Sequence, residues 1–157
     1  LNRAILYEKK ELQFVDLPTP DSKGDFVIFL LDTGKSRRTE ALVNLFLEKL
    51  KNPLFAKSCR DELIPFTHTG ISSFLSKDLE LFERSFYDVS RFQYEHFLPM
   101  IPKNYHKLWR NGLDNSQTLL KLCGAGGGGF LLGMTRSFSE FVKLYPEEKV
   151  RILWRFT

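Results

Sequence analysis

Leu119-Leu120-Lys121-Leu122-Cys123-Gly124-Ala125-Gly126-Gly127-Gly128-Gly129-Phe130-Leu131-Leu132-Gly133-Met134 is the stretch on which the fold turns. An apolar run closes at Cys123, five glycines follow between Gly124 and Gly129, and a second apolar run starts at Phe130. Two strands joined by a glycine loop is the simplest local reading. Glycines reach positive φ and let the backbone approach another group closely. Successive free N–H groups in such a loop form a concave anion site. The loop therefore reads either as a close-approach site for a phosphate-bearing ligand or another phosphate loop, or as a plain hairpin turn.

Two familiar glycine patterns fail here. Gly124, Gly126 and Gly129 satisfy G-x-G-x-x-G, but the dinucleotide fingerprint needs a helix to open directly after the loop. Phe130 to Met134 reads as a strand, and too little chain remains for a doubly wound fold. Gly34-Lys35-Ser36 looks like the end of a phosphate loop, yet the glycine required upstream is Phe29.

A third pattern fits. Lys121 to Phe130 resembles the third conserved motif of the GHMP kinases, K-x-x-G-[AS]-G-G-G-G followed by an apolar strand. That family includes galactokinase, homoserine kinase, mevalonate kinase, phosphomevalonate kinase and related heptose and fucose kinases. A second segment, Asp32-Thr33-Gly34-Lys35-Ser36-Arg37-Arg38-Thr39-Glu40-Ala41-Leu42-Val43, resembles one in mevalonate kinases and their sugar-kinase relatives. There a strand ends, an R-x-[ST] follows and a helix begins; Arg37-Arg38-Thr39 supplies it here. The residues agree with an anion-facing role, because free N–H groups at a helix start favour negative charge and Arg37 can pair with a carboxylate or phosphate. A solvated arginine pair and a capping Thr39 is the bland alternative.

Composition is compatible with this. The chain has 157 residues, enough for one domain with a proper core, and its 15 phenylalanines argue for a well-filled one. Net charge is +4, from 23 basic and 19 acidic residues, with no Lys/Arg block of the kind that marks a nucleic-acid footprint. Cys59 and Cys123 have no metal spacing and suit buried thiols in a reducing, cytoplasmic compartment. No apolar run is long enough to suggest a membrane span. His68, His96 and His106 are isolated, and a metal site is not expected.

In chain order, Ala4–Tyr7 and Leu12–Leu17 read as a hairpin, and Phe26–Leu31 as a central strand buried on both faces. Ser36 is a candidate cap for a helix through Leu42, Leu45, Phe46 and Leu50, stopped by Asn52-Pro53. Glu62–Leu75 and Leu79–Phe97 read as helices, broken near Pro65 and Lys77-Asp78. Phe82, Phe86, Val89, Phe92 and Phe97 read as core, while Gln93, Glu95 and His96 are polar residues that could face a cleft. Tyr105–Leu113 and Ser137–Leu144 read as helices, the latter capped by Ser137, and Val150–Phe156 as a final alternating strand. The order predicts an α+β fold, with helices on a mainly antiparallel sheet. The resemblance implies the same, a ferredoxin-like sandwich of the GHMP kinase C-terminal type.

The resemblance also implies function. Residues 1–157 would be the C-terminal domain of an ATP-dependent kinase that phosphorylates a small-molecule hydroxyl, most like mevalonate kinase of isoprenoid biosynthesis. The family's P-x-x-x-G-L-G-S-S-A phosphate motif is absent from this sequence, and no catalytic Asp or Lys is assignable. ATP and magnesium would therefore be bound mainly by an N-terminal kinase domain, this domain's own partner, and the fragment alone would be inactive. Gly124, Ala125, Gly126, Gly127, Gly128 and Gly129 would support the phosphate loop. Arg37 and Thr39 would bind the acceptor, mevalonate or a sugar phosphate. A heptose 7-phosphate or fucose kinase is the near alternative. A non-catalytic anion-binding regulatory module and a purely structural interaction domain are the alternatives of another class. An apolar side left by a missing partner domain could also make the fragment dimerise.

Overall fold

The computed structural model describes residues 4–8, 10–35 and 39–157. The opening hairpin pairs β1 (Ala4–Glu8) with β2 (Glu11–Val15) in register, Ile5 opposite Phe14 and Tyr7 opposite Leu12. β1 runs one residue past the expected Tyr7, and β2 starts one residue before Leu12 and stops at Val15, so that Leu17 lies beyond it. Lys10 sits in the turn with φ 68°.

The main sheet has four strands in the order β4-β5-β3-β6, all antiparallel to their neighbours. They are β3 (Phe26–Asp32), β4 (Thr118–Leu122), β5 (Phe130–Thr135) and β6 (Val150–Phe156). Helices α1 to α5 lie between β3 and β4, and α6 lies between β5 and β6. Strand–helix–strand–strand–helix–strand in this order is the ferredoxin-like α+β sandwich. β3 is central, and its run of Phe26 to Phe29 is buried throughout, as expected of a strand covered on both faces.

Helix α1 (Thr39–Leu50) begins three residues after Ser36, and the proposed cap at Ser36 lies outside the described residues. Asn52 ends the connection and caps α2 (Pro53–Ser58): its Oδ1 accepts N–H bonds from Leu54 at 2.9 Å and Phe55 at 3.4 Å. Pro65 does not break the helical run. A π-helical stretch, Cys59–Leu63, leads into α3 (Ile64–Ser76) with Pro65 in its first turn. A proline in an α-helical interior clashes with the carbonyl four residues back, and the wider turn just before it accommodates the ring. Lys77, at φ 61°, ends α3, and Asp78 caps α4 (Leu79–His96) by accepting from Leu81 N–H at 3.0 Å.

Helix α5 (His106–Asn115) runs past Gly112 to Ser116, which closes it at φ 53°. Gly112 is inside the helix because its face lies on β4; a Cβ there would sit 1.8 Å from the Thr118 carbonyl oxygen. Helix α6 (Phe138–Leu144) follows Ser137, whose side chain makes no capping bond. Asp25 does that work from another segment: its carbonyl accepts the Phe138 N–H and its Oδ1 accepts the Ser139 N–H at 3.0 Å. The last strand does not alternate cleanly. Its register against β3 shifts between Ile28 and Phe29, where Trp154 and Ile152 are the successive partners and Leu153 is the extra residue.

Two apolar clusters flank the sheet. One joins Val27, Phe29, Leu31, Leu120, Leu122 and Leu131 to α1, α2, α5 and α6. The other joins Phe26, Ile28, Leu119 and Met134 to Phe82 and Phe86 of α4 and Phe74 of α3. Phe82, Phe86, Val89, Phe92 and Phe97 are all buried, as read from their spacing. Among the described residues no helix is long and apolar enough to cross a membrane.

Candidate functional site

The glycine loop is a built structure. Gly124, Gly126, Gly127, Gly128 and Gly129 take φ values of 64°, 77°, 76°, 149° and 70°. These are conformations that L residues adopt only with strain. Tertiary hydrogen bonds hold the turn. The Gly127 N–H donates to the Met100 carbonyl at 2.6 Å, and the Gly129 N–H donates to the Lys35 carbonyl at 2.7 Å. The Gly129 carbonyl accepts from both the Thr33 N–H and the Thr33 hydroxyl, each at 2.8 Å.

Close packing adds to this. A Cβ on Gly127 would fall 2.2 Å from Leu42 Cδ1 of α1, and one on Gly126 would fall 2.8 Å from the Met100 carbonyl oxygen. The loop thus lies directly on the β3–α1 connection and on the first turn of α1. A plain hairpin turn would need neither set of contacts.

The same bonds narrow the anion-site reading. The N–H groups of Gly127 and Gly129 are consumed within the fold and point at carbonyls. Those of Gly124, Ala125 and Gly128 have no hydrogen-bond partner among the described residues. An incoming phosphate or a second phosphate loop would meet that part of the turn.

The two segments singled out by sequence come together here. Thr33 and Lys35 bond Gly129, and Leu42 touches Gly127. The turn into α1 is organised locally as well: Asp32 Oδ1 accepts the Gly34 N–H at 2.9 Å, and the Thr33 hydroxyl accepts the Lys35 N–H at 3.4 Å. Arg37 lies outside the described residues. Thr39 is the first residue of α1. The helix start therefore stands beside the loop, with its N-terminal N–H groups and their favourable field for an anion.

Two of the groups that hold the loop carry no signal in sequence. Met100 and Lys35 act through backbone carbonyls, which any residue offers. Thr33 stood next to the diagnostic Arg-x-Thr but carries the direct bonds to the loop. Lys121 opens the glycine motif, and its ammonium donates to the Leu122 carbonyl at 3.1 Å. Burial pushes its pKa down, with a smaller upward pull from the Cys123 thiol.

Two of the polar residues at the end of α4 are engaged within the fold. Gln93 Oε1 accepts the Leu122 N–H at 2.7 Å, just before the loop. The His96 ring packs against Phe92 and Phe55, with centroids 4.4 and 5.5 Å apart. His106 Nε2 is 2.9 Å from the Ile101 carbonyl oxygen. Among the described residues no group of three His, Cys, Asp or Glu side chains could hold a metal ion.

Comparison with known proteins bears on the fold. No family profile matches the chain, and no curated protein matches it. A solved structure does: the Lin0012 protein from Listeria innocua, with a TM-score of 0.71 at 20% identity over 90% of this chain. At that identity the likeness speaks to the fold alone. The match covers 42% of the Listeria protein, so this chain spans less than half the length of that relative.

Proposed function

We propose that this domain is the C-terminal half of an ATP-dependent small-molecule kinase of the GHMP type, most like mevalonate kinase. The observation that supports this reading is the bonding of Thr33 and Lys35 to Gly129. It joins the loop of the first resembling segment to the helix start of the second. Phosphoryl transfer depends on positioning and on stabilising charge, and both are served by a rigid backbone loop beside a helix N-terminus.

In this reading the loop from Gly124 to Gly129 braces a phosphate loop supplied by the kinase's N-terminal domain. The start of α1, with Arg37 and Thr39, forms one wall of the acceptor pocket. ATP, when bound, supplies the phosphoryl group and magnesium offsets its charge; this domain supplies shape and N–H donors. Mevalonate would offer a carboxylate to Arg37 or Arg38, and a sugar phosphate would use the same arginines. A cytoplasmic enzyme fits the two free cysteines.

The test is ADP release by the full-length protein with magnesium, ATP and a panel of acceptors: mevalonate, phosphomevalonate, heptose 7-phosphate, fucose, galactose and homoserine. Turnover with mevalonate alone is the expected result. Turnover with a sugar would keep the chemistry and move the acceptor class. No turnover with any of them would overturn the kinase reading in favour of an anion-binding module.

A further inference from the structure

The sheet face opposite the glycine loop's packing partners holds a cleft of about 620 Å³. It opens between the β1–β2 hairpin, α3, the first half of α4 and the sheet. Its walls are almost wholly carbon, with Leu6, Phe66, Phe74, Phe86 and Leu132 prominent. The volume lies within the range of small-molecule sites.

Among the described residues one ionisable side chain lines this apolar space: Lys121. It stands opposite Leu132 in the β4–β5 register, so the two share the cleft face of the sheet. An ammonium has three donors, and one of them goes to the Leu122 carbonyl. No carboxylate pairs with it among the described residues. The hydroxyls in the lining, those of Thr67 and Ser85, donate to the Leu63 and Leu81 carbonyls, and among the described residues the ammonium is bonded to the Leu122 carbonyl rather than to either of them. A desolvated cation without a counter-charge is costly, and such groups concentrate where a ligand completes them.

We propose that this cleft binds an anionic amphiphile, an aliphatic carboxylate whose head pairs with Lys121 and whose chain lies between the hairpin and α3. Charge complementarity selects the head, and the carbon-lined walls select the chain. The site is distinct from the acceptor pocket of the kinase reading and does not depend on it. Lys121 lies on the strand that leads into the glycine loop, three residues before Gly124.

The test titrates the full-length protein with dodecanoate, below its micellar concentration, by calorimetry and by the fluorescence of Trp154, which lines the cleft. Dodecyltrimethylammonium is the control with the same chain and the opposite charge. Dodecanoate is expected to bind at least tenfold more tightly than the cation, and Lys121→Met to abolish that preference while Lys121→Arg keeps it. Ile71→Glu, on the half-exposed rim of the cleft, is a variant independent of the strand and is expected to weaken dodecanoate by about tenfold. No binding of dodecanoate, equal binding of the two amphiphiles, or a preference that survives both Lys121→Met and Ile71→Glu would overturn the assignment.

Discussion

The two faces of the four-stranded sheet are built differently. On one face Phe29, Leu31, Leu120 and Leu131 are buried to 1% exposure or less and meet the aromatic rings of α6 and the apolar side of α1 and α2. Phe29 and Phe141 lie with centroids 4.9 Å apart, and Phe46 sets its edge on Phe55 and Phe97. On the other face Phe74 of α3 and Phe82 and Phe86 of α4 pack on part of the sheet, and a cleft remains between these helices, the hairpin and the rest of it. The outward side of the hairpin is apolar too: Ile5, Tyr7, Leu12 and Phe14 are 58%, 66%, 71% and 69% exposed. The closed face holds a loop in one conformation. The open face offers surface, and a two-stranded hairpin keeps its shape there only by leaning on what it covers.

The sharpest break of this contrast is Phe29→Ala. The ring is fully buried, and its loss is expected to cost about 3–5 kcal/mol, read from urea unfolding. A cost below about 1 kcal/mol would mean that the closed face is as loose as the open one.

Next comes Gly127→Val, which introduces strain at φ 76° and a clash with Leu42 Cδ1. About 1–3 kcal/mol of destabilisation is expected, with the fold retained by circular dichroism. If the proposed kinase function holds, turnover of the full-length protein should fall strongly. Adding Leu42→Ala should recover part of the stability by removing the clash, but not the part due to φ. Complete recovery would show that backbone strain contributes nothing.

Tyr105 tests the closed face through pH. Its hydroxyl donates to the Glu148 carboxylate at 3.0 Å, and burial, followed by that hydrogen bond, pushes its pKa up to about 12. The ordinary value is about 10, so the unfolded chain loses this proton first. The stabilisation is complete below about pH 10 and is lost as pH rises through about 12. Tyr105→Phe should therefore flatten the alkaline limb of the unfolding curve; an unchanged limb would separate that limb from this residue.

The smallest effect belongs to the open face. Ile71 is half-exposed on the cleft wall, and Ile71→Ala is expected to cost less than about 1 kcal/mol in urea unfolding. A cost matching that of Phe29→Ala would erase the difference between the faces.

Much of the fold was legible before any coordinates. The run Phe26–Leu31 announced a doubly covered strand because continuous apolar residues have no solvent face to spare. The helical spacing of Phe82, Phe86 and Val89 marked a core stripe that α4 carries. Misreadings arose where a distant group intervened. Ser137 looked like a cap, but Asp25 reaches across from another segment and takes the α6 N–H groups. Pro65 looked like a break, but a π turn absorbs it. Leu153 looked like one step of an alternation, but a register shift against β3 interrupts the pattern.

The candidate site divides in the same way. Sequence by itself determined that a turn from Gly124 to Gly129 must exist, because only glycine takes five such φ values in six residues without strain. It also marked the Arg37–Thr39 segment as a helix entry. Tertiary structure alone decided that the loop meets the β3–α1 connection at Thr33 and Lys35 and α1 at Leu42, that Thr33 and the carbonyls of Met100 and Lys35 hold it, and that two of its N–H groups are spent inward. Backbone carbonyls have no letter in the sequence, and the partner of a loop N–H is chosen by strand order. The cleft beside Lys121 has the same origin: it is the space enclosed between α3, α4, the hairpin and the sheet, and no local pattern records a space between distant segments.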